Sequence, residues 1–155
     1  MIGRRPTVLP SDLEASILCK DQIFLVCSRN SPWARRRKID IKEIVSERWA
    51  LPPLDTFVGT MIADAFRAKG LEAPKASVVS LPIGTHWALV ATGKYLGILP
   101  ASLLRSVGQS LGLVKLAIEF NIEAPPLGIV TLKKRTIGST ARLFAETARD
   151  VARNM

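Results

Sequence analysis

The stretch "ALVATGKYLGILPASLL", residues 88–104, holds a helix end, a turn, a short apolar segment, a proline and a second helix start. Its first part is apolar and helix-like, and Gly93 suits the left-handed backbone with which many helices close. Residues 96–99 are apolar almost without a break, which predicts a strand buried on both faces. Pro100 ends that strand, and residues 101–104 start a new helix, because proline fits both a strand end and a first helical turn. A joint this short, helix to strand to helix, belongs to a layered α/β fold in which helices cover a sheet.

Working outward, the same alternation continues. Upstream, "ASVVSL" (76–81) predicts a strand and "PIGTHWALVATG" (82–93) a helix starting near Pro82. "DTFVGTMIADAFRAKG" (55–70) is the clearest helix: Phe57, Val58, Met61, Ile62, Ala65 and Phe66 fall on one apolar face. Asp55 or Thr56 caps its start and Gly70 suits its exit. "WALPP" (49–53) is a short strand closed by two prolines. In "IDIKEIVSE" (39–47), Asp40 and Glu43 have the spacing of a capping box, and Ile39 and Ile44 that of a hydrophobic staple. "SILCKDQIFLVCS" (16–28) predicts one strand running into another, the second apolar throughout and buried on both faces. Downstream, "GLVKLAIEF" (112–120) and "PLGIVTLKK" (126–134) are strands. "GSTARLFAETARDVARN" (138–154) is an amphipathic final helix with Leu143, Phe144, Ala148 and Val151 on one face. Strands alternating with helices predict an α/β fold with largely parallel pairing.

The chain has 155 residues, enough for one domain or two small lobes, and its 48% hydrophobic content supports a real core. No apolar run approaches the roughly 18 residues of a membrane span, and "MIGRRPTVLPSD" has no apolar signal core, so the expected location is the cytoplasm. Cys19 and Cys27 sit in strand-like segments and are expected to be reduced, buried thiols. The net charge of +9 is densest at "ARRRK" (34–38) and "KKR" (133–135). Neither cluster is interleaved with aromatics, which favours a solvated surface over a phosphate contact.

Chemistry-bearing patterns are sparse. His86 is the sole histidine and no Cys/His/acid cluster surrounds it in sequence, whereas a metal site needs about three protein ligands. No phosphate-loop pattern, no GxSxG elbow and no paired acids stand out, so no catalytic residue, metal or cofactor is expected. Binding is better supported. Thr56 follows "WALPPL" and residues 80–84 follow "ASVV", so two helices start directly after strands. Helix starts at strand C-terminal ends offer free N–H groups and a positive dipole end to a small anion. The same residues also serve as ordinary helix caps.

The order of these parts resembles the effector-binding (substrate-binding) domain of LysR-type transcriptional regulators. "MIGRRP" (1–6) is similar to a strand end that usually carries an Asp-led Ile-Gly-Arg. "IFLVCSRNSPWARRRKIDIKEI" (23–44) resembles the family's strand, His-Pro-Leu-Ala-type turn and short helix, with the turn here reading Asn30, Ser31, Pro32, Trp33, Ala34. "WALPPLDTFVGTMIADAFRAKGLEAP" (49–74) resembles the next strand–helix unit, including its exit at Gly70, Leu71 and Pro74. "ALVATGKYLGILPASLL" is similar to a family segment with a Gly-x-Gly turn, whose second glycine is replaced here by Tyr95. "PPLGIVTLKKRTIGSTARLF" (125–144) resembles the closing strand, turn and helix.

The resemblance covers nearly the whole chain. It implies an α/β fold like that of type II periplasmic binding proteins, with two lobes joined by crossing strands and a ligand between them. Lobe II would be residues 27–114, and lobe I residues 1–26 and 115–155. The first lobe is expected to be incomplete, because the family domain normally begins earlier. DNA would be reached only through a helix-turn-helix domain that this stretch lacks, and a full-length parent would be a homo-oligomer without membrane contact. The expected function is ligand sensing: a small effector, expected to be a carboxylate or other anion, binds without being changed. By family position the ligand-binding residues are Gly3 and Arg4 at a lobe I strand end, Thr56 and Phe57 at one lobe II helix start, and Ser80, Leu81 and Pro82 at the next. Thr56 and Ser80 would donate hydrogen bonds, Arg4 would supply charge and Phe57 would shape the pocket. The alternatives are a transporter's solute-binding protein of the same fold, a small α/β enzyme, or a fragment without activity of its own.

Overall fold

The computed structural model describes residues 1–5, 8–120, 122 and 124–153. Pro6 of the first family-like stretch and Asn154 of the last expected helix lie outside the described residues. In chain order the elements are β1 (Ile2–Arg4), β2 (Leu13–Cys19), β3 (Ile23–Ser28), a 3₁₀ turn (Pro32–Arg35), α1 (Ile41–Ile44) and β4 (Trp49–Leu51). Then come α2 (Phe57–Arg67), β5 (Ala76–Val79), α3 (Ile83–Ala91), β6 (Gly97–Pro100), α4 (Ala101–Val107), β7 (Leu113–Lys115), β8 (Leu127–Leu132) and α5 (Ser139–Arg153).

The chain forms two compact units, Met1–Asp21 with Ala124–Met155 and Gln22–Glu123. The division between these units falls at 21/22 and 123/124. The reason is hydrogen bonding: β3 pairs along its length with β6 and β7, so the whole strand belongs with them.

In the first unit β8 lies between β1 and β2, antiparallel to both. The helix α5 packs on β2. Its buried residue is Ala145, flanked by half-buried Ala148 and Ala152, so small side chains let the helix approach the sheet. Of the face read from the spacing, Ala148 is half-buried, while Leu143, Phe144 and Val151 are 64%, 63% and 58% exposed. Cys19 is half-buried rather than buried.

In the second unit β3 lies between β6 and β7, antiparallel to both, and β4 pairs with β5 in parallel. Leu96 links the two groups. It bridges Trp49 in parallel, its amide donates to Arg48 O at 2.8 Å, and its carbonyl accepts from Ala50 N at 2.9 Å. Pairing is thus mostly antiparallel, against the expectation from alternation. Strand–helix–strand succession runs from β3 through β7, but parallel pairing is confined to β4 with β5 and the Leu96 bridge, and β3 and β8 each run against two neighbours. β7 is also shorter than the apolar run 112–120, and its continuation turns into the core with Leu116, Phe120 and Ile122 buried.

The core of this unit is aromatic and aliphatic. Phe66 of α2 meets Trp49 edge-on at 6.2 Å and Phe120 at 4.7 Å between ring centroids. The Trp49 indole N–H donates to Ile44 O at 2.9 Å, which satisfies the one polar atom buried with it. A second cluster joins Val26, Val90, Leu99 and Leu113. Local signals in the sequence are realised around these clusters. Asp40 and Glu43 close a capping box on α1, with Ile39 and Ile44 buried on either side of it. Gly93 takes φ +78° where α3 ends, and β6 runs into α4 through Pro100. Burial pushes the Cys27 thiol up to about 11, opposed by a side-chain hydrogen bond with Ser31. A protonated, enclosed thiol is inert, as the strand reading expects. Among the described residues no helix is long and apolar enough to cross a membrane.

Candidate functional site

Two helix starts stand side by side in the second unit. β4 leads to α2 and β5 leads to α3, and β4 and β5 are adjacent parallel strands with Leu51 opposite Val79. The Ser80 amide donates to Leu51 O at 3.2 Å, so the two junctions are tied together by backbone.

Thr56 is the N-cap of α2. Its hydroxyl accepts from the Gly59 amide at 3.1 Å and donates to Pro53 O at 2.6 Å. The capping role is realised, and it engages the one hydroxyl proton that the sequence reading assigned to a ligand. The donors left at this start are the first-turn amides of Phe57 and Val58, which have no place in the helix ladder. The Phe57 side chain leaves the apolar face of α2 and is 54% exposed.

At α3, Pro82 is the N-cap and supplies no side-chain cap hydrogen bond. The first-turn amides of Ile83 and Gly84 therefore face solvent uncapped, and a Cβ built on Gly84 would meet nothing within 4 Å. Ser80 is half-buried. Its carbonyl accepts a 2.6 Å hydrogen bond from His86 Nε2, one turn into the same helix. His86 is 4% exposed and locks the bend between β5 and α3. Nothing in the spacing of the sequence alone shows this ring folding back onto a preceding carbonyl. No group of three or more metal-ligating side chains exists among the described residues.

One further feature marks these junctions. The large apolar side chains most exposed in this unit are Leu54, Phe57, Val79, Leu81 and Ile83, between 44% and 70% exposed. All five lie at the β4–α2 and β5–α3 junctions. An apolar rim around uncapped amides is the lining that small-molecule sites use. Leu54, Val79 and Ile83 are not legible as rim residues from polar helix starts alone, because only their exposure in the fold marks them.

The remaining expected residues, Gly3 and Arg4, are in β1 of the first unit. Arg4 Nη1 donates to Pro125 O at 2.9 Å, which fixes part of its guanidinium and leaves other donors for use. An open recess of about 880 Å³ in the second unit holds none of the expected residues. It sets Arg37, Lys38, Lys69 and Lys115 beside Asp40, Glu43 and Glu119, so its charges largely compensate one another.

The chain matches the family model described as the LysR substrate binding domain over residues 1–153. It is 25% identical over 146 residues to the transcriptional dual regulator GltC of Bacillus subtilis, covering 94% of this chain and 48% of that protein. The chain spans about half the length of the curated relatives it matches. Its fold is that of the Synechocystis CcmR regulatory domain, solved in complex with 2-PG (TM-score 0.73, 19% identity, 99% of this chain and 73% of that one). It is equally that of the QuiR effector-binding domain, solved in complex with shikimate (TM-score 0.72, 19% identity, 99% and 71%). From the family match over nearly its whole length, the chain belongs to the LysR substrate-binding domain family.

Proposed function

We propose that this chain is the effector-sensing part of a LysR-type transcriptional regulator, working in the cytoplasm and binding a small anionic molecule, a carboxylate above all. The observation that carries the reading is the pair of adjacent helix starts, one of them uncapped, ringed by exposed apolar side chains. Backbone amides at a helix start favour negative charge, and a chain with net charge +9 adds a long-range attraction for it. The CcmR and QuiR domains, solved in complex with 2-PG and with shikimate, share this fold, which supports a ligand here without naming it.

In this proposal Phe57 and Leu81 form apolar walls, Pro82 leaves the α3 amides uncapped, and Thr56 and Ser80 hold the two junctions in place. Gly3 and Arg4 enter from the family resemblance alone. The proposed lobes are those of the family resemblance, residues 1–26 and 115–155 for lobe I and 27–114 for lobe II. Effector binding would bias the arrangement of the lobes, and a helix-turn-helix domain of a homo-oligomeric regulator would carry that bias to DNA.

The test is calorimetry of the chain against a panel of small mono- and dicarboxylates, with phosphate as a comparison. One class should bind saturably, and Phe57→Ala and Thr56→Ala should each weaken it by about fivefold or more. Saturable binding that neither substitution changes would move the site elsewhere.

A further inference from the structure

Two places where this sequence leaves the family pattern are Trp33, standing where the turn usually carries leucine, and Tyr95, standing where a glycine is usual. They are far apart in sequence, yet both line one recess of about 310 Å³ in the second unit. Arg48, Lys94 and Glu47 line it with them.

The recess lies at the opposite end of the strands from the helix starts described above. Arg48 directly precedes β4, and Leu96, beside Tyr95, pairs with Trp49 at the beginning of that strand. The walls are held rigidly. The Trp33 amide donates to Ser31 Oγ at 3.3 Å, its carbonyl accepts from Arg36 N at 3.3 Å, and the Arg36 guanidinium sits 5.7 Å from the indole centroid. Arg36 is itself tied to Glu43 at 2.9 Å. On the other wall, Gly93 at φ +78° and the Leu96–Arg48 hydrogen bond set where Tyr95 stands. Trp33 and Tyr95 are half-buried and do not stack on each other, so their rings are not consumed by mutual packing. Neither Arg48 nor Lys94 is in an ion pair among the described residues.

We propose that this recess is a second small-molecule site, specific to chains with this aromatic pair, and that it takes a planar aromatic carboxylate. Aromatic walls give a flat ring an apolar surface and an edge or face contact. Unpaired cations at the rim provide charge-assisted bonds to its carboxylate. The volume lies at the small end of ligand pockets, which suits a single ring. Glu47, the one acid in the lining, disfavours dianions and leaves an acceptor for a ring hydroxyl or amine.

The experiment is a titration of the ¹⁵N-labelled chain with 4-hydroxybenzoate, read at the indole N–H of Trp33 and the amide of Gly93. The Trp33 peak is assigned through Trp33→Phe. Cyclohexanecarboxylate is the non-planar control, and sodium chloride at the same ionic strength is the charge control. The expected result is a saturable shift for the aromatic acid, at least about tenfold tighter than for the cyclohexane acid. Tyr95→Gly, which restores the family residue, should weaken binding by about tenfold, and so should the surface change Arg48→Met. Phe57→Ala should leave it unchanged, which separates this site from the one at the helix starts. No saturable shift, equal affinity for the non-planar acid, or affinity indifferent to both Tyr95→Gly and Arg48→Met would overturn the proposal. Where Tyr95→Gly disturbs the fold, Arg48→Met and Lys94→Met, both at exposed positions, decide it.

Discussion

The two units bury their apolar residues very differently. The largest fully enclosed side chains, among them Trp49, Phe66, Leu25, Ile44, Leu51 and Leu99, are all in the second unit. The described buried apolar residues of the first unit are Ile129, Val130 and Ala145. Exposure shows the converse. In the second unit exposed large apolar side chains are confined to two strand–helix junctions, whereas in the first they spread over β1, β2, β8 and α5. A thick core with one apolar rim points to a site at the rim. A three-stranded sheet with one helix buries too little for any single exposed residue to carry such meaning.

The sharpest way to break this comparison is to remove one phenylalanine from each unit. Phe66→Ala should destabilise the chain by about 3–5 kcal/mol in urea unfolding, because the ring is fully enclosed between Trp49 and Phe120. Phe144→Ala, at 63% exposure on α5, should stay within about 0.5 kcal/mol. A large cost at Phe144 would show that the outer face of α5 is covered in solution, and the contrast between the units would fall.

That same contrast explains what could be read from the sequence. Period and caps located nearly every element of the second unit, since its helices and strands are built around one dense core. Ile62 and Phe66 of α2, and residues 23–27 of β3, are apolar because they are enclosed. The spacing places Leu143, Phe144 and Val151 on one side of α5, but whether that side is covered depends on how deep a core the unit has. The direction of β3 and β8 was illegible because a buried strand looks the same run either way. At the site, Thr56 and Pro82 were visible as caps and helix starts. The His86–Ser80 bond, and the meeting of Trp33 with Tyr95, depend on chain tracks that no local pattern encodes.

A smaller effect tests how tightly the rim is held. A Cβ added at Gly59 would come 2.1 Å from Pro53 O and 2.6 Å from Leu54 Cα, both backbone atoms. Gly59→Ala should therefore cost about 1–3 kcal/mol and spread the β4–α2 junction. Its counterpart in the first unit is Gly3→Ala, where nothing lies within 4 Å of the added carbon. That change should leave the urea midpoint nearly where it was. If both variants weaken carboxylate binding while only Gly59→Ala lowers stability, Gly3 takes part in the site directly. If Gly3→Ala leaves binding intact, the family-derived placement of that residue fails.

The smallest expected effect concerns the edge of the thick unit, at the start of α1. Asp40→Ala removes the cap on Lys42 N and should cost about 1 kcal/mol. Its partner Glu43 adds a pH signature. The Asp40 amide, and then the Arg36 guanidinium, hold the Glu43 carboxyl below its ordinary 4.5. A depressed folded-state value means that the unfolded chain takes up the proton first. The stabilisation is thus present above the unfolded value and is lost as the pH falls through the folded one. Glu43→Gln should lower the melting temperature slightly at pH 7 and by less at acid pH, as the folded chain takes up the proton that the substitution makes irrelevant. The matched change in the thin unit is Glu14→Gln, whose carboxylate accepts from Thr131 Oγ1 at 3.0 Å across two strands. An amide oxygen can still accept that hydroxyl hydrogen, so no gap should open at either pH. A Glu43→Gln gap that does not shrink as the pH falls would trace its effect to side-chain packing instead of charge, and the capping box would lose its electrostatic part.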